Sequence, residues 1–133
     1  MNGVNRVILV GNLGSDPFKT STLTGKTLTT FSIATNEFVK EVEGDKIIRT
    51  EWHKIVTWAK TAEACAKMLR KGSKVYVEGK IRSMPKRAEE NEPVTYYYEI
   101  FATDVIFLSN YGNSSVKEDK NEEEQEELLD AAV

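Results

Sequence analysis

Two tryptophans and one lysine alternate along residues 51–58, whose sequence is Glu-Trp-His-Lys-Ile-Val-Thr-Trp. At the two-residue period of a β-strand, Trp52, Lys54 and Trp58 project from the same face. A surface that holds unpaired bases and a phosphate chain needs aromatic rings for stacking and ammonium groups for charge, whereas a core strand needs no lysine. The pattern therefore predicts a surface for single-stranded nucleic acid. Because tryptophan is mostly buried in proteins, a core position for both rings is the alternative.

Other reactive side chains offer little further chemistry. His53 has the opposite parity to the tryptophans and no partner for a catalytic triad, so we expect it to face the interior or a subunit contact. Cys65 is the only cysteine, so it can form neither an internal disulfide nor a multi-thiolate metal site. The carboxylates lie mostly in turns and in the C-terminal segment. We therefore predict a protein that is not an enzyme, with no catalytic residue, no metal and no cofactor.

The net charge of −3 is unevenly distributed along the 133 residues. Residues 1–110 contain 16 Lys and Arg against 13 Asp and Glu, a net charge of +3. Residues 111–133 contain 2 against 8, a net charge of −6. The N-terminal part can thus attract phosphates only modestly, and its affinity must depend on local lysine placement and on stacking.

Five segments have the apolar or alternating pattern of β-strands, and one segment has a helical pattern. The predicted strands cover residues 6–14, 27–36, 47–58, 74–82 and 94–108. Residues 60–71 form the predicted helix, because apolar residues recur at helical spacing, Thr61 can cap its start and Gly72 follows its end. We expect residues 38–46 and 83–93 to be polar loops. Residues 19–26 are rich in threonine and include Gly25, which predicts the start of a strand and a hairpin turn.

Five strands with one short helix between the third and fourth is the order of the OB-fold, an all-β barrel whose end the helix plugs. Residues 1–108 are therefore predicted to form one OB-fold domain. Residues 109–133 carry too little apolar surface to offset the entropy of ordering, so we expect a disordered acidic tail. The sequence has neither an apolar run of transmembrane length nor a signal-peptide pattern, which predicts a soluble, cytoplasmic protein.

Five short motifs follow one another along the predicted domain. They are residues 4–14 (Val-Asn-Arg-Val-Ile-Leu-Val-Gly-Asn-Leu-Gly), Asp16-Pro17, residues 50–54 (Thr-Glu-Trp-His-Lys), residues 69–72 (Leu-Arg-Lys-Gly) and residues 75–79 (Val-Tyr-Val-Glu-Gly). In order and spacing they closely resemble the bacterial-type single-stranded DNA-binding protein family, across roughly residues 1–108. One such motif would be weak, but five in register make the resemblance specific.

The resemblance implies a homotetramer of OB-fold protomers that single-stranded DNA wraps, with its bases stacked on aromatic residues. Trp52 and Trp58 fall where the family places stacking aromatics. Phosphate-facing basic residues are implied at Arg6, Lys54, Lys60, Arg70, Lys71 and Arg82. Two tryptophans that the family often carries elsewhere are replaced here by Phe38-Val39 and by residues 84–87, Met-Pro-Lys-Arg. We take Phe38 as a further stacking residue and Lys86 as a further contact to DNA, with a solvated loop charge as the alternative for Lys86.

The function that this resemblance implies is sequence-independent binding and protection of single-stranded DNA during replication, recombination and repair, in the cytoplasm of a bacterial cell or a phage-infected host. Two other binding functions remain open. One is a primosomal or recombination accessory protein of the same fold, and the other is an RNA-binding OB domain.

The C-terminal segment departs from the family's pattern. Family members usually end in an acidic segment with a terminal phenylalanine, which recruits replication and repair enzymes. This chain has the acidic run but ends in Ala131-Ala132-Val133. The missing phenylalanine argues against recruitment of the usual partners and for a phage or mobile-element member.

Overall fold

The computed structural model describes residues 2–109, which form six strands and one helix. They are β1 (Val7–Leu13), β2 (Phe18–Ser21), β3 (Thr27–Val42), β4 (Asp45–Trp58), α1 (Ala59–Met68), β5 (Lys74–Lys86) and β6 (Thr95–Ser109). No helix within residues 2–109 is both long enough and apolar enough to cross a membrane.

The strands form one sheet in the order β1-β5-β6-β4-β3-β2, and a further pairing of β1 with β3 closes it into a barrel. The closing pairs are Asn12 with Ala34 and Leu13 with Ile33. Gly11 permits this close approach, because a Cβ at that position would collide with the carbonyl oxygen of Ala34. A closed barrel with one helix between β4 and β5 confirms the predicted OB-fold.

The barrel interior is apolar and is covered at one end by α1. The large apolar side chains with no exposed surface are Ile33, Ile55, Val75 and Val77 from the strands, and Cys65 from α1 joins them. The Thr29 hydroxyl donates a hydrogen bond of 2.7 Å to the carbonyl of Ala62 in α1, which fixes the helix to the sheet. Burial raises the pKa of the Cys65 thiol to about 12, against the lowering effect of its hydrogen bond with Thr57. The thiol is thus an inert core group at neutral pH.

Two hairpins extend further than the alternation of the sequence indicated. β3 and β4 continue to a tight turn at Glu43 and Gly44, both of which have positive φ, so most of residues 38–46 is strand rather than loop. β5 continues to Lys86, also beyond its predicted end. The ladder pairs of these extensions lie outside the barrel, where both sides of the β3–β4 hairpin are exposed and the sequence has no alternation of buried and exposed residues.

Two local predictions were also incomplete. The strand start predicted within residues 19–26 is the separate strand β2, Phe18–Ser21, which pairs along β3 and makes six strands rather than five. The predicted cap at Thr61 was wrong, because α1 begins two residues earlier and Trp58 occupies the N-cap without a side-chain hydrogen bond. β4 runs into the helix with no linker, and the positive φ of Ala59 makes the sharp turn between them.

Candidate nucleic-acid interface

The central strands β4, β6 and β5 present one continuous outward surface, which we call the aromatic-basic face. Ladder pairs of β6 with β4 and with β5 place residues of alternate parity in rows across the three strands. The face consists of Trp52, Lys54, Val56 and Trp58 from β4, of Tyr97, Glu99 and Phe101 from β6, and of Lys80, Arg82 and Met84 from β5. The predicted residues Trp52, Lys54, Trp58 and Arg82 are thereby brought together.

At the end of the face where β4 ends, two aromatic rings lie beside a guanidinium group. The ring centroids of Trp58 and Phe101 lie 6.2 Å apart with an interplanar angle of 57°. The guanidinium carbon of Arg82 lies 4.7 Å from the centre of the Phe101 ring. Trp58 has 36% of its surface exposed, so the pair offers ring area to a ligand while the cation lies within reach of its phosphates.

The middle of the face holds a paired lysine. The ammonium group of Lys54 lies 3.1 Å from a carboxylate oxygen of Glu99 and 5.7 Å from the centre of the Tyr97 ring. Glu99 is only 8% exposed and is the one buried charged side chain among residues 2–109. Arg82 is the ladder partner of Glu99 on β5, but its guanidinium lies over the Phe101 ring, and the ion pair of this carboxylate is with Lys54. The carboxylate of Glu99 therefore neutralises part of the positive charge of the face.

Trp52 lies at the opposite end of the face from Trp58 and is 58% exposed. Its ring lies against Gly14 in the turn after β1, where a Cβ would approach Cη2 of the indole to 2.6 Å. The glycine thus gives the indole a flat surface to rest on, and it supports the ring without burying its outer side.

Phe38 lies on the same side of the sheet as Trp52 but further along the β3–β4 hairpin. It is opposite Ile48 in the ladder, and it lines a groove of about 430 Å³ together with Asn36, Lys46 and Ile48. With 57% of its surface exposed, the ring is available to a ligand. The structure therefore places Phe38 beyond the barrel, on an arm that continues the aromatic-basic face.

Arg6 lies outside the face, in an adjoining groove of about 850 Å³ between the N-terminal segment and the β5–β6 pair. Its guanidinium is paired with the carboxylate of Glu78. Lys80 and Arg82 line the same groove, so the groove is continuous with the aromatic-basic face.

The remaining predicted basic residues are exposed but dispersed. Lys60 lies in the first turn of α1, close in sequence to Trp58. Arg70 and Lys71 lie in the turn after α1, which is held to the β1–β2 connection because the Lys71 amide donates to Asp16 Oδ1 at 2.8 Å. Lys86 ends β5 with the same parity as Arg82, on the far part of the β5–β6 hairpin.

One prediction concerned a side chain away from the face. His53 lies half-buried on the inner side of β4, as expected, and its Nε2 is 2.8 Å from the hydroxyl of Thr35. On β6, the three consecutive tyrosines of residues 96–98 are all exposed, so none of them lies in the core. No group of three or more His, Cys, Asp or Glu within residues 2–109 is arranged to hold a metal ion.

Comparison with known proteins gives consistent results. A profile of the Single-strand binding protein family matches residues 4–108. The single-stranded DNA-binding protein 1 of Chlorobaculum tepidum is 39% identical over 106 residues, which is 80% of this chain and 65% of that protein. The single-stranded DNA-binding protein of Xanthomonas campestris pv. campestris is 42% identical over 110 residues, which is 83% of this chain and 63% of that protein. The chain thus spans less than two thirds of the length of these relatives.

A solved structure, described as a Plasmodium falciparum SSB complex with ssDNA, aligns with a TM-score of 0.71 at 30% identity. The alignment covers 82% of this chain and 98% of the other. The barrel, its plugging helix and the aromatic-basic face define the class as an OB-fold domain. Since the family profile extends over nearly the whole described region, the chain belongs to the Single-strand binding protein family.

Proposed function

We propose that the chain binds single-stranded DNA without sequence preference and protects it during replication, recombination and repair in the cytoplasm. The observation that supports this function best is the aromatic-basic face, where exposed Trp52 and Trp58 alternate with Lys54 and adjoin Arg82. Residues 1–108 are the proposed binding domain and agree with the extent of the family profile. The proposed acidic tail, residues 109–133, lies outside the described residues apart from Ser109.

Binding follows from two properties of the face. The lysines and arginines contact phosphates and release counterions, so affinity falls as salt rises, with a slope of about −0.7 per phosphate contact on single strands. Every base has a π-face, so each stacked base adds about 1–3 kcal/mol whatever its identity. Duplex DNA hides these π-faces, which makes single strands the preferred ligand, and binding then traps transiently opened strands by mass action.

A titration at several salt concentrations tests this function. We expect labelled dT oligomers to bind with a negative slope of log affinity against log salt, and a duplex of the same length to bind much more weakly. The same oligomers should stay intact in magnesium. Equal affinity for duplex and single strand would contradict the proposal. Displacement by RNA at lower concentration than by DNA would favour the RNA-binding alternative.

Assembly into a homotetramer belongs to the same proposal, and one exposed surface supports a contact between copies. The outer side of β1, β5 and β6 carries apolar side chains that are 43–53% exposed: Ile8, Val10, Ile106 and Leu108. Val10, Tyr76 and Ile106 form one row across the three strands. β1 pairs with β3 only at Asn12 and Leu13, so most of its second edge also lacks a strand partner among the described residues. A second copy can cover both features.

Charges in this apolar row should separate the copies. We expect the double variant Val10→Lys/Ile106→Lys to lower the mass in light scattering from a multiple of 15.0 kDa to that of one chain. The matched control is Leu23→Lys, at a fully exposed apolar residue outside the row, which should keep the mass of the wild type. A wild-type mass of 15.0 kDa would contradict the assembly while leaving DNA binding to be judged by the titration.

A further inference from the structure

Phe18 is an exposed aromatic residue on β2, the last strand in the order of the sheet. Its ring has 67% of its surface exposed. In the ladder Phe18 is opposite Thr30, Thr30 is opposite Val56, and Val56 is beside Phe101. Directly opposed residues project to the same side of a sheet. Phe18 therefore lies on the outward side that carries the aromatic-basic face, in the row that contains Phe101.

The sheet between Phe18 and the tryptophan at the end of β4 is a shallow, mainly apolar floor. Thr30 and Leu28 on β3 are half-buried, and Val56 on β4 is buried. Leu28 is the direct partner of Trp58, one row away from Phe18. Two strand spacings, roughly 10 Å, separate β2 from β4. The ring of Phe18 thus lies on one side of this floor and the indole of Trp58 on the other.

We propose that Phe18 is a further base-stacking residue, which extends the binding surface across β3 to the edge strand β2. The bound single strand then crosses five strands, from β5 over β6, β4 and β3 to β2. This inference rests on the proposed function, because the ligand of Phe18 is the next base of the same strand. The occupant follows from continuity, since the row joins Phe18 to residues of the aromatic-basic face without an intervening charge.

The same hairpin supplies a comparison. Leu23 is also fully exposed, but it lies in the turn between β2 and β3 and in no row of the sheet. Single exposed apolar residues of this kind are common and carry no function by themselves. Substitutions at Leu23 therefore control for exposure and hairpin position without touching the proposed path of the strand.

The first test measures affinity. We expect F18A to weaken binding of a long dT oligomer, measured by fluorescence anisotropy of a labelled strand, by at least about fivefold. L23A should bind like the wild type, and F18A should keep the wild-type mass. Unchanged affinity of F18A would overturn the inference while leaving the proposed function intact. A change in mass that accounts for the loss of affinity would overturn it in favour of a contact between copies.

The second test observes the position directly. The variants W52F/W58F/F18W and W52F/W58F/L23W each carry one tryptophan, at Phe18 or at Leu23. At saturating dT oligomer, with saturation read from the labelled strand, we expect the fluorescence of the F18W variant to be quenched and that of the L23W variant to stay constant. Saturation without quenching of the F18W variant would overturn the inference. Failure of the wild type to bind any labelled strand would instead overturn the proposed function.

Discussion

Replacement of Trp52 and Trp58 by alanine is expected to cause the largest loss of affinity for single-stranded DNA. Each ring that stacks on a base contributes about 1–3 kcal/mol, which is about 5- to 150-fold in affinity. The double variant should therefore lose about 2–6 kcal/mol if the two rings hold different bases. Both rings are exposed on the same side of β4, so their removal should cost much less folding stability than removal of a core residue.

Two fluorescence measurements test the tryptophan variants. Anisotropy of a labelled dT oligomer gives the affinity, and the single variants Trp52→Ala and Trp58→Ala each leave one indole whose quenching reports its own site. Leu23→Ala is the control for loss of an exposed apolar side chain. Wild-type affinity in the double variant, with wild-type stability in urea, would show that neither indole is a contact.

The second large effect is expected at the pair of Lys54 and Glu99. Lys54→Ala leaves the carboxylate of Glu99, which is only 8% exposed, without its ammonium partner. A buried group that loses its partner lowers the free energy of unfolding by roughly 1–3 kcal/mol. We expect a loss in this range, and not the larger loss of a fully buried ion pair, because the Lys54 side chain is half exposed. The same variant should bind DNA more weakly and with a shallower salt slope, by about 0.7, because one phosphate contact is lost.

Glu99→Gln separates the two roles of this pair. In the Lys54→Ala background it removes the unpaired charge, so we expect urea unfolding to return close to that of the wild type while DNA binding stays weak. In the wild-type background it frees Lys54 and removes a negative charge near the phosphates, so affinity should rise. No loss of stability in Lys54→Ala would show that the pair is only a surface contact.

The sequence predicted the face from β4 alone, and for a physical reason. Trp52, Lys54 and Trp58 alternate without interruption, and the ladder of β4 is regular over these residues, so parity in the chain equals side in the sheet. The resemblance to the family added Arg82, which the structure places on the same face. The OB-fold was likewise predicted from the sequence patterns of the five main strands.

The residues that β6 contributes to the aromatic-basic face could not be predicted from the alternation of side chains along the sequence. Val105 and Phe107 point inward, and unbroken alternation would place Phe101 inward with them. The ladder with β5 instead skips Thr103, because Glu78 is opposite Asp104 while Gly79 is opposite Ala102. This bulge reverses the parity, so Ile100 is buried and Phe101 faces outward beside Trp58. A bulge of one residue leaves no strong mark in the sequence, which is why Tyr97, Glu99 and Phe101 were missed.

The position of β6 in the sheet determines when the aromatic-basic face can be completed during synthesis of the chain. β6 is the last strand of residues 2–109, yet it lies between β4 and β5 and supplies the middle column of the aromatic-basic face. The barrel depends on pairings between distant segments, such as β1 with β5, which form slowly because long loops must close first. A chain emerging from the ribosome therefore has no complete aromatic-basic face until residue 109 has left the exit tunnel, so the barrel must fold before the proposed binding of a single strand.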